Sequence, residues 1–213
     1  HGLCQCDSVE SLIGDSRVAA FDPYVVETVR NAEALFIAGG DQANYVRYWK
    51  GTPLEDAINF VASKPAPVGG TSAGLAVLGQ FDFTAMNGSV TSAQAMTNPY
   101  NKYMTFDPSP LAKAGSFLAP AAFANTILDS HLDERDRMGR LVSFVARLVA
   151  SYSGPGSQQF GCPGGVLANH TAKGIGLGVE TALLVNWDQA AMHFSGRRVT
   201  NTPAPATDSA FGL

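Results

Sequence analysis

The chain has 213 residues, 46% hydrophobic and 15% charged, with a net charge of −4. That length and apolar content suit one α/β domain with a real core and exclude a disordered chain. The 14 basic residues form no long run, and no apolar stretch nears about 18 residues, which argues against a nucleic-acid partner and against a membrane span.

The first thirty or so residues offer no convincing strand, and His1 is not an initiator Met. The expectation is a chain that begins inside a larger gene product, its opening strands missing. Asp22-Pro23 is a helix start, a capping carboxylate followed by proline at the first helical position, and "PYVVETVRNA" follows. "ALFIAGG" (34–40) is a short apolar run closed by two glycines, the pattern of a buried parallel strand. Thr52-Pro53 opens a helix, "PLEDAINFVAS", with Leu54, Ala57, Ile58 and Val61 on one face, and "PAPVGG" is the next strand. Strand, loop, helix, strand, elbow and helix in this order predict a doubly wound, mostly parallel sheet flanked by helices.

Beyond residue 80 the pattern loosens. "FDFTAMNGSVTSAQAMT" reads as strand pieces joined at the hairpin dipeptide Asn87-Gly88, and "NPYNKYMTFDPSPLAKAG" as loop with short helical turns. "ANTILDSH" is a strand running into polar residues. "DERDRMGRLVSFVARLVAS" (133–151) is an amphipathic helix with Leu141, Phe144, Val145 and Leu148 on one face. "SGPGSQQFGCPGG" is a loop, and "GVLANH", "KGIGLGV" and "TALLVNW" are short strands. The expected organisation is a single domain over 1–200 and a Pro- and Ala-rich tail over 201–213.

Three cysteines, Cys4, Cys6 and Cys162, make no disulfide framework. Pairing of Cys4 or Cys6 with Cys162 and three free thiols remain equal readings. Two sequons, at Asn87 and Asn169, tilt the expected location towards an extracellular protein.

Gly70-Thr71-Ser72-Ala73-Gly74 fits G-x-S-x-G between a strand and an apolar helix, the setting of a nucleophile elbow. Gly70 and Gly74 remove side chains that would collide across so sharp a turn, and the bend pushes the Ser72 hydroxyl out. A serine hydroxyl needs a base. Of the four histidines, His1 is terminal, His170 lies in a loop and His193 in a late strand. His131 stands at the C-terminal end of a strand, where doubly wound folds place their sites. In "FIAGGDQANY" a second strand ends in glycines that let backbone N–H groups approach a ligand. The expected oxyanion hole is therefore the N–H groups of Ala73 and Gly40. No cofactor or metal is expected.

Together "GGDQ", "GGTSAG" and "DSHLDERDRMGRL" resemble the cyanophycinase family of serine peptidases, relatives of the aspartyl dipeptidases, from about Val25 to about Val185. The resemblance implies a flavodoxin-like or class I glutamine-amidotransferase-like fold, with Ser72 as nucleophile and His131 as base. By the same resemblance Glu180, in "GIGLGVETALLV", is the acidic triad member and Gln42 a substrate contact. Asp129, His131, Arg135, Arg137 and Arg140 fit the family's D-x-H segment and its following arginines. Ser130 stands where cyanophycinases tend to carry Gln, and Leu132 where an aromatic is usual.

Cyanophycin is a polyaspartate with arginine on each side-chain carboxyl. Its site needs guanidinium acceptors, for which Asp129, Asp133 and Glu134 are candidates, and carboxylate donors, for which Arg135 and Arg137 are candidates. With Gln42 and Ser130 these form the expected substrate subsite. The plainer reading of the segment is a solvated helix start with an Asp133–Arg137 ion pair. The expected activity is hydrolysis of aspartyl or isoaspartyl amide bonds, with cyanophycin as leading substrate and an acyl-enzyme as intermediate; a homodimer is compatible with the sequence. The alternatives are an aspartyl dipeptidase and a catalytically inactive scaffold or assembly protein.

Overall fold

The computed structural model of the protein describes residues 8–108, 115–150, 166–168, 170–188, 190 and 192–200, and the backbone of 211–212. Helix α1 (Pro23–Asn31) starts where Asp22 accepts hydrogen bonds from the N–H groups of Tyr24, at 2.8 Å, and Val25, at 3.4 Å. Strand β1 (Leu35–Ile37) follows. Next comes α2 (Gln42–Trp49), capped by Asp41, whose carboxylate accepts from Ala43 N at 2.9 Å. The structure replaces the expected loop here with a helix, because two glycines and a capping Asp before a mixed sequence look alike at a turn and at a helix start. Helix α3 (Pro53–Ser63) begins at the Thr52-Pro53 signal, as expected. Strand β2 (Val68–Gly70) pairs in parallel with β1, Ile37 opposite Gly70, and runs into the short helix α4 (Ala73–Ala76).

The stretch after residue 80 departs from the sequence reading. Strand β3 (Asp82–Phe83) pairs antiparallel not with the residues after Asn87-Gly88 but with β4 (Phe106–Asp107). Between them lies α5 (Ser92–Thr97), closed at its start by a capping box: Thr91 Oγ1 accepts from Gln94 N, and Gln94 Oε1 accepts from Thr91 N. The spacing Thr91-x-x-Gln94 was legible as a helix start and outweighs the strand reading.

Strand β5 (Thr126–Ser130) is buried along its whole length. It pairs in parallel with β6 (Lys173–Leu177), and Ile127 also bridges Phe81 in parallel. Helix α6 (Met138–Val149) is shorter than expected, since residues 132–136 form turns. The chain closes with an antiparallel ladder of β7 (Thr181–Asp188), β8 (His193–Thr200) and β9 (Phe211–Gly212). The described part of "GVLANH" forms no strand. The fold is α/β, as expected; its hydrogen-bonded strands form short ladders of two or three strands.

Two apolar cores flank β5, because successive residues of a strand face opposite sides. Leu128 joins a core with Ile37, Val46, Ile58, Val61 and Val77, covered by α1, α2 and α3. Ile127 joins the other, with Phe81, Phe83, Phe106, Leu141, Phe144 and Leu148 under α6. In that second core Phe144 stacks on Phe83 at 4.7 Å and meets Phe106 edge-on at 5.5 Å. Among the described residues no helix is long and apolar enough to cross a membrane. Cys4, Cys6, Cys162, Asn169, the loop 152–165 and tail residues 201–210 lie outside the described residues.

Candidate active site

The elbow is built by β2, α4 and the neighbouring β1. Ser72 has φ 52° and ψ −117°, a left-handed backbone that a β-carbon disfavours. Hydrogen bonds hold it there: Thr71 N donates to Ile37 O at 3.1 Å, Gly74 N to Thr71 O at 2.9 Å and Ala76 N to Ser72 O at 3.0 Å. A side chain at Gly70 would run into the Gly74 carbonyl, and one at Gly74 into the carbonyls of Ile37 and Ala38. The small residues around Ser72 thus permit a turn packed backbone to backbone.

The strained serine faces the strained histidine. Ser72 Oγ lies 3.0 Å from His131 Nε2, although 59 positions separate them in sequence. His131 leaves the end of β5 with φ 54° and is partly exposed, as is Ser72. Partial burial and the guanidinium groups of Arg135 and Arg137 lower its pKa below the ordinary imidazole value, against the weaker opposing charges of Glu134 and Asp129. At neutral pH the ring is therefore mostly unprotonated, as a base must be.

The glycine pressed against the serine is Gly39, where a β-carbon would stand 3.0 Å from Ser72 Cβ and 3.7 Å from its Oγ. Gly40, the expected donor, is one step further along the same loop, and the space at its α-carbon is filled by the Tyr45 hydroxyl. The N–H groups of Gly39, Gly40 and Ala73 have no acceptor among the described residues.

Other expected site residues fall into place unevenly. Asp129 and Ser130 are buried, 3% and 8% exposed, so neither offers a free group to a ligand. Arg140, itself 1% exposed, takes both Asp129 oxygens at 2.6 and 2.7 Å and lies over the rings of Phe83 and Phe144. Asp129 is thus an internal anchor, which corrects its expected role as guanidinium acceptor. Ser130 gives its carbonyl to Arg137 Nη1 at 2.9 Å. The Asp133–Arg137 pair is absent among the described residues, because the helix on which it depended begins only at Met138.

The structure does not bring Glu180 to His131. It is exposed, with φ 58°, in the turn between β6 and β7, and has no hydrogen bond or ion pair among the described residues. The carboxylate that holds this turn is Glu134, which accepts from Val179 N at 2.6 Å.

At the Gly39-Gly40 loop a cavity of about 270 Å³ is lined by Gly40, Asp41, Gln42, Ser89, Arg135, Arg137 and Arg140; Ser72 and His131 are not part of its lining. Gln42 is steadied by donating from Nε2 to Phe83 O at 3.3 Å. Arg137 is lowered to about 10 by burial and by the nearby Arg140, so it stays protonated at neutral pH. Arg140 is paired with Asp129, and Arg137 Nη1 also lies 3.8 Å from Asp129 Oδ1, so the exposed Arg135 is the one of the three without an ion pair among the described residues; the remaining excess of positive charge favours an anionic ligand. Sequence reading missed Asp41, Gly39 and Ser89. Asp41 and Gly39 were legible beside Gln42 and Gly40, whereas nothing in the sequence links Ser89 to Arg140, whose Nη1 it accepts at 3.2 Å.

These features define an α/β protein with a serine–histidine pair on a strand, elbow and helix unit. Residues 7–102 match the sequence model of peptidase family S51, a span that includes the elbow and the Gly-Gly-Asp-Gln loop and ends before His131. The chain is also similar to a solved structure, the crystal structure of a peptidase from an acI-B1 Actinobacterium, with 16% identity and a TM-score of 0.46. That comparison covers 87% of this chain and 57% of the other, so the chain spans little more than half the length of that peptidase. No curated protein sequence matches it.

Proposed function

We propose that this chain is a serine peptidase that hydrolyses aspartyl or isoaspartyl amide bonds through an acyl-enzyme. The observation that carries the reading is the 3.0 Å approach of Ser72 Oγ to His131 Nε2 at a backbone strained on both residues. His131 takes the hydroxyl proton as Ser72 attacks the amide carbon. The developing oxyanion is met by the Ala73 N–H, first in α4 and so without an intrahelical acceptor, and by an N–H of the Gly39-Gly40 loop. His131 then protonates the leaving amine, and water, activated by the same ring, releases the acid.

The arginine-lined cavity supports an aspartyl carboxylate as the recognised group, with Arg135 and Arg137 as donors and Gln42 beside them. Cyanophycin adds a guanidinium, for which Asp41 is the carboxylate on the cavity wall now that Asp129 is engaged by Arg140. A second reading, a catalytically quiet scaffold, draws on the lack of a hydrogen bond or ion pair between Glu180 and His131 among the described residues.

One experiment separates these. The protein is treated with a fluorophosphonate and assayed on cyanophycin and on free Asp-X dipeptides. The expected result is modification at Ser72 and loss of hydrolysis in Ser72→Ala, with release of an arginine-containing dipeptide distinguishing the polymer from the dipeptide substrates. If Ser72 stays unmodified and Ser72→Ala hydrolyses as the parent does, the peptidase reading fails and the scaffold reading stands.

A further inference from the structure

The geometry points to Tyr45 as a positioning residue of the candidate active site, one that sets the Ala38–Gly39 peptide so that the Gly39 N–H serves as the second oxyanion donor. The inference rests on the peptidase reading above. Tyr45 lies on the first turn of α2, and its hydroxyl donates to Ala38 O at 2.9 Å. A peptide unit is planar and trans, so fixing the Ala38 carbonyl fixes the Gly39 N–H on the opposite side of the same plane. Gly39 is also the residue against Ser72, as its missing side chain shows. The Ala38 carbonyl lies close against Gly74, 2.6 Å from where a β-carbon there would stand, so the loop packs onto the elbow at this point.

The hydroxyl is itself held from behind. The Tyr45 ring stacks on Trp49 at 4.5 Å with planes 7° apart, and Trp49 Nε1 donates to Gly14 O at 2.9 Å. Burial and the charge of Asp41 raise the phenol above its ordinary pKa, so it remains a donor through the neutral and mildly alkaline range. A brace of Gly14, Trp49 and Tyr45 thereby reaches the loop that faces the nucleophile. Nothing in the sequence marks Tyr45, because its partner is a backbone carbonyl that only folding brings near.

The test is Tyr45→Phe, which keeps the stacked ring and removes only the hydroxyl. The rate of Ser72 phosphonylation by a fluorophosphonate and kcat on an aspartyl substrate are expected to fall about 10- to 100-fold, because a displaced donor is felt chiefly in the charged transition state. KM is expected to move less than about threefold, since the ground-state carbonyl makes little use of the hole. Gly40→Ala is a second variant that retains Tyr45: its β-carbon would push the hydroxyl from Ala38 O, and the same slowing is expected. Tyr48→Phe on the same helix is expected to label as the parent does. Parent protein that labels at Ser72 while both Tyr45→Phe and Gly40→Ala label at the same rate overturns the role of Tyr45 and leaves the peptidase reading intact. Parent protein that never labels at Ser72 overturns both.

Discussion

Ser72 and His131 each occupy a positive-φ backbone that glycine would adopt more easily. The strain is carried by the hydrogen bonds of the elbow at one residue and by the end of β5 at the other, and it aims the two side chains at each other. The environment of His131 has a pH consequence. Its neutral form is favoured by partial burial and by Arg135 and Arg137, so the imidazolium forms only below the ordinary value of about 6.5. The acidic limb of kcat/KM should lie below that value. Arg135→Gln removes a cation that opposes protonation, so the ring is protonated at higher pH and the limb should move up. A pH–rate profile of the parent and the variant checks this; an unmoved limb would mean that Arg135 does not act on the ring. The residue types at the elbow were legible in the sequence, since G-x-S-x-G after an apolar run has a steric meaning. The fate of Asp129 was not, because its partner Arg140 is eleven positions away across a turn that reads as helix.

At the scale of elements, α3, β5 and the buried face of α6 were legible because each has a strong local pattern. Leu141, Phe144 and Leu148 of α6 are 6%, 0% and 2% exposed, while Val142 is 58% exposed. Phe144→Ala should destabilise the fold by about 3–5 kcal/mol, since it empties the stack between Phe83 and Phe106. Val142→Ala should stay within about 0.5 kcal/mol. Urea unfolding of the two variants tests the assignment of the faces. Among the helices, those that depart from the sequence reading are α2, α5 and the start of α6. In each the decisive signal was a cap or a distant contact. The first turn of the supposed helix at 133 is opened by Arg137, which turns back to Ser130 O and leaves Asp133 unpaired with it.

Across the molecule, β3 and β4 bring Asp82 opposite Asp107 in a buried place. Asp107 has Lys50 and the Phe117 N–H as partners, whereas neither oxygen of Asp82 has one among the described residues. Burial and the charge of Asp107 raise the Asp82 pKa well above its ordinary value, with Lys50 opposing. The folded state therefore keeps a proton that the unfolded chain loses near pH 4, and stability falls as pH rises through the interval between the two pKa values. Asp82→Asn removes that loss. Because the amide does not titrate, the stability of the variant relative to the parent should rise from pH 4 to neutral pH, and the difference should shrink towards pH 4. Thermal melts at several pH values measure it; a gain independent of pH would refute the linkage.

The order of residues alone determined the α/β class, the elbow at Ser72 and the choice of His131, because sterics, apolar periodicity and strand ends are local properties of a chain. Only the folded arrangement decided that Gly39 abuts the serine, that Arg140 neutralises Asp129, that Glu180 stands apart and that Tyr45 grips the loop. Those outcomes depend on the closing distances between segments tens of residues apart, and packing in three dimensions, not neighbourhood along the backbone, selects which charges and donors meet.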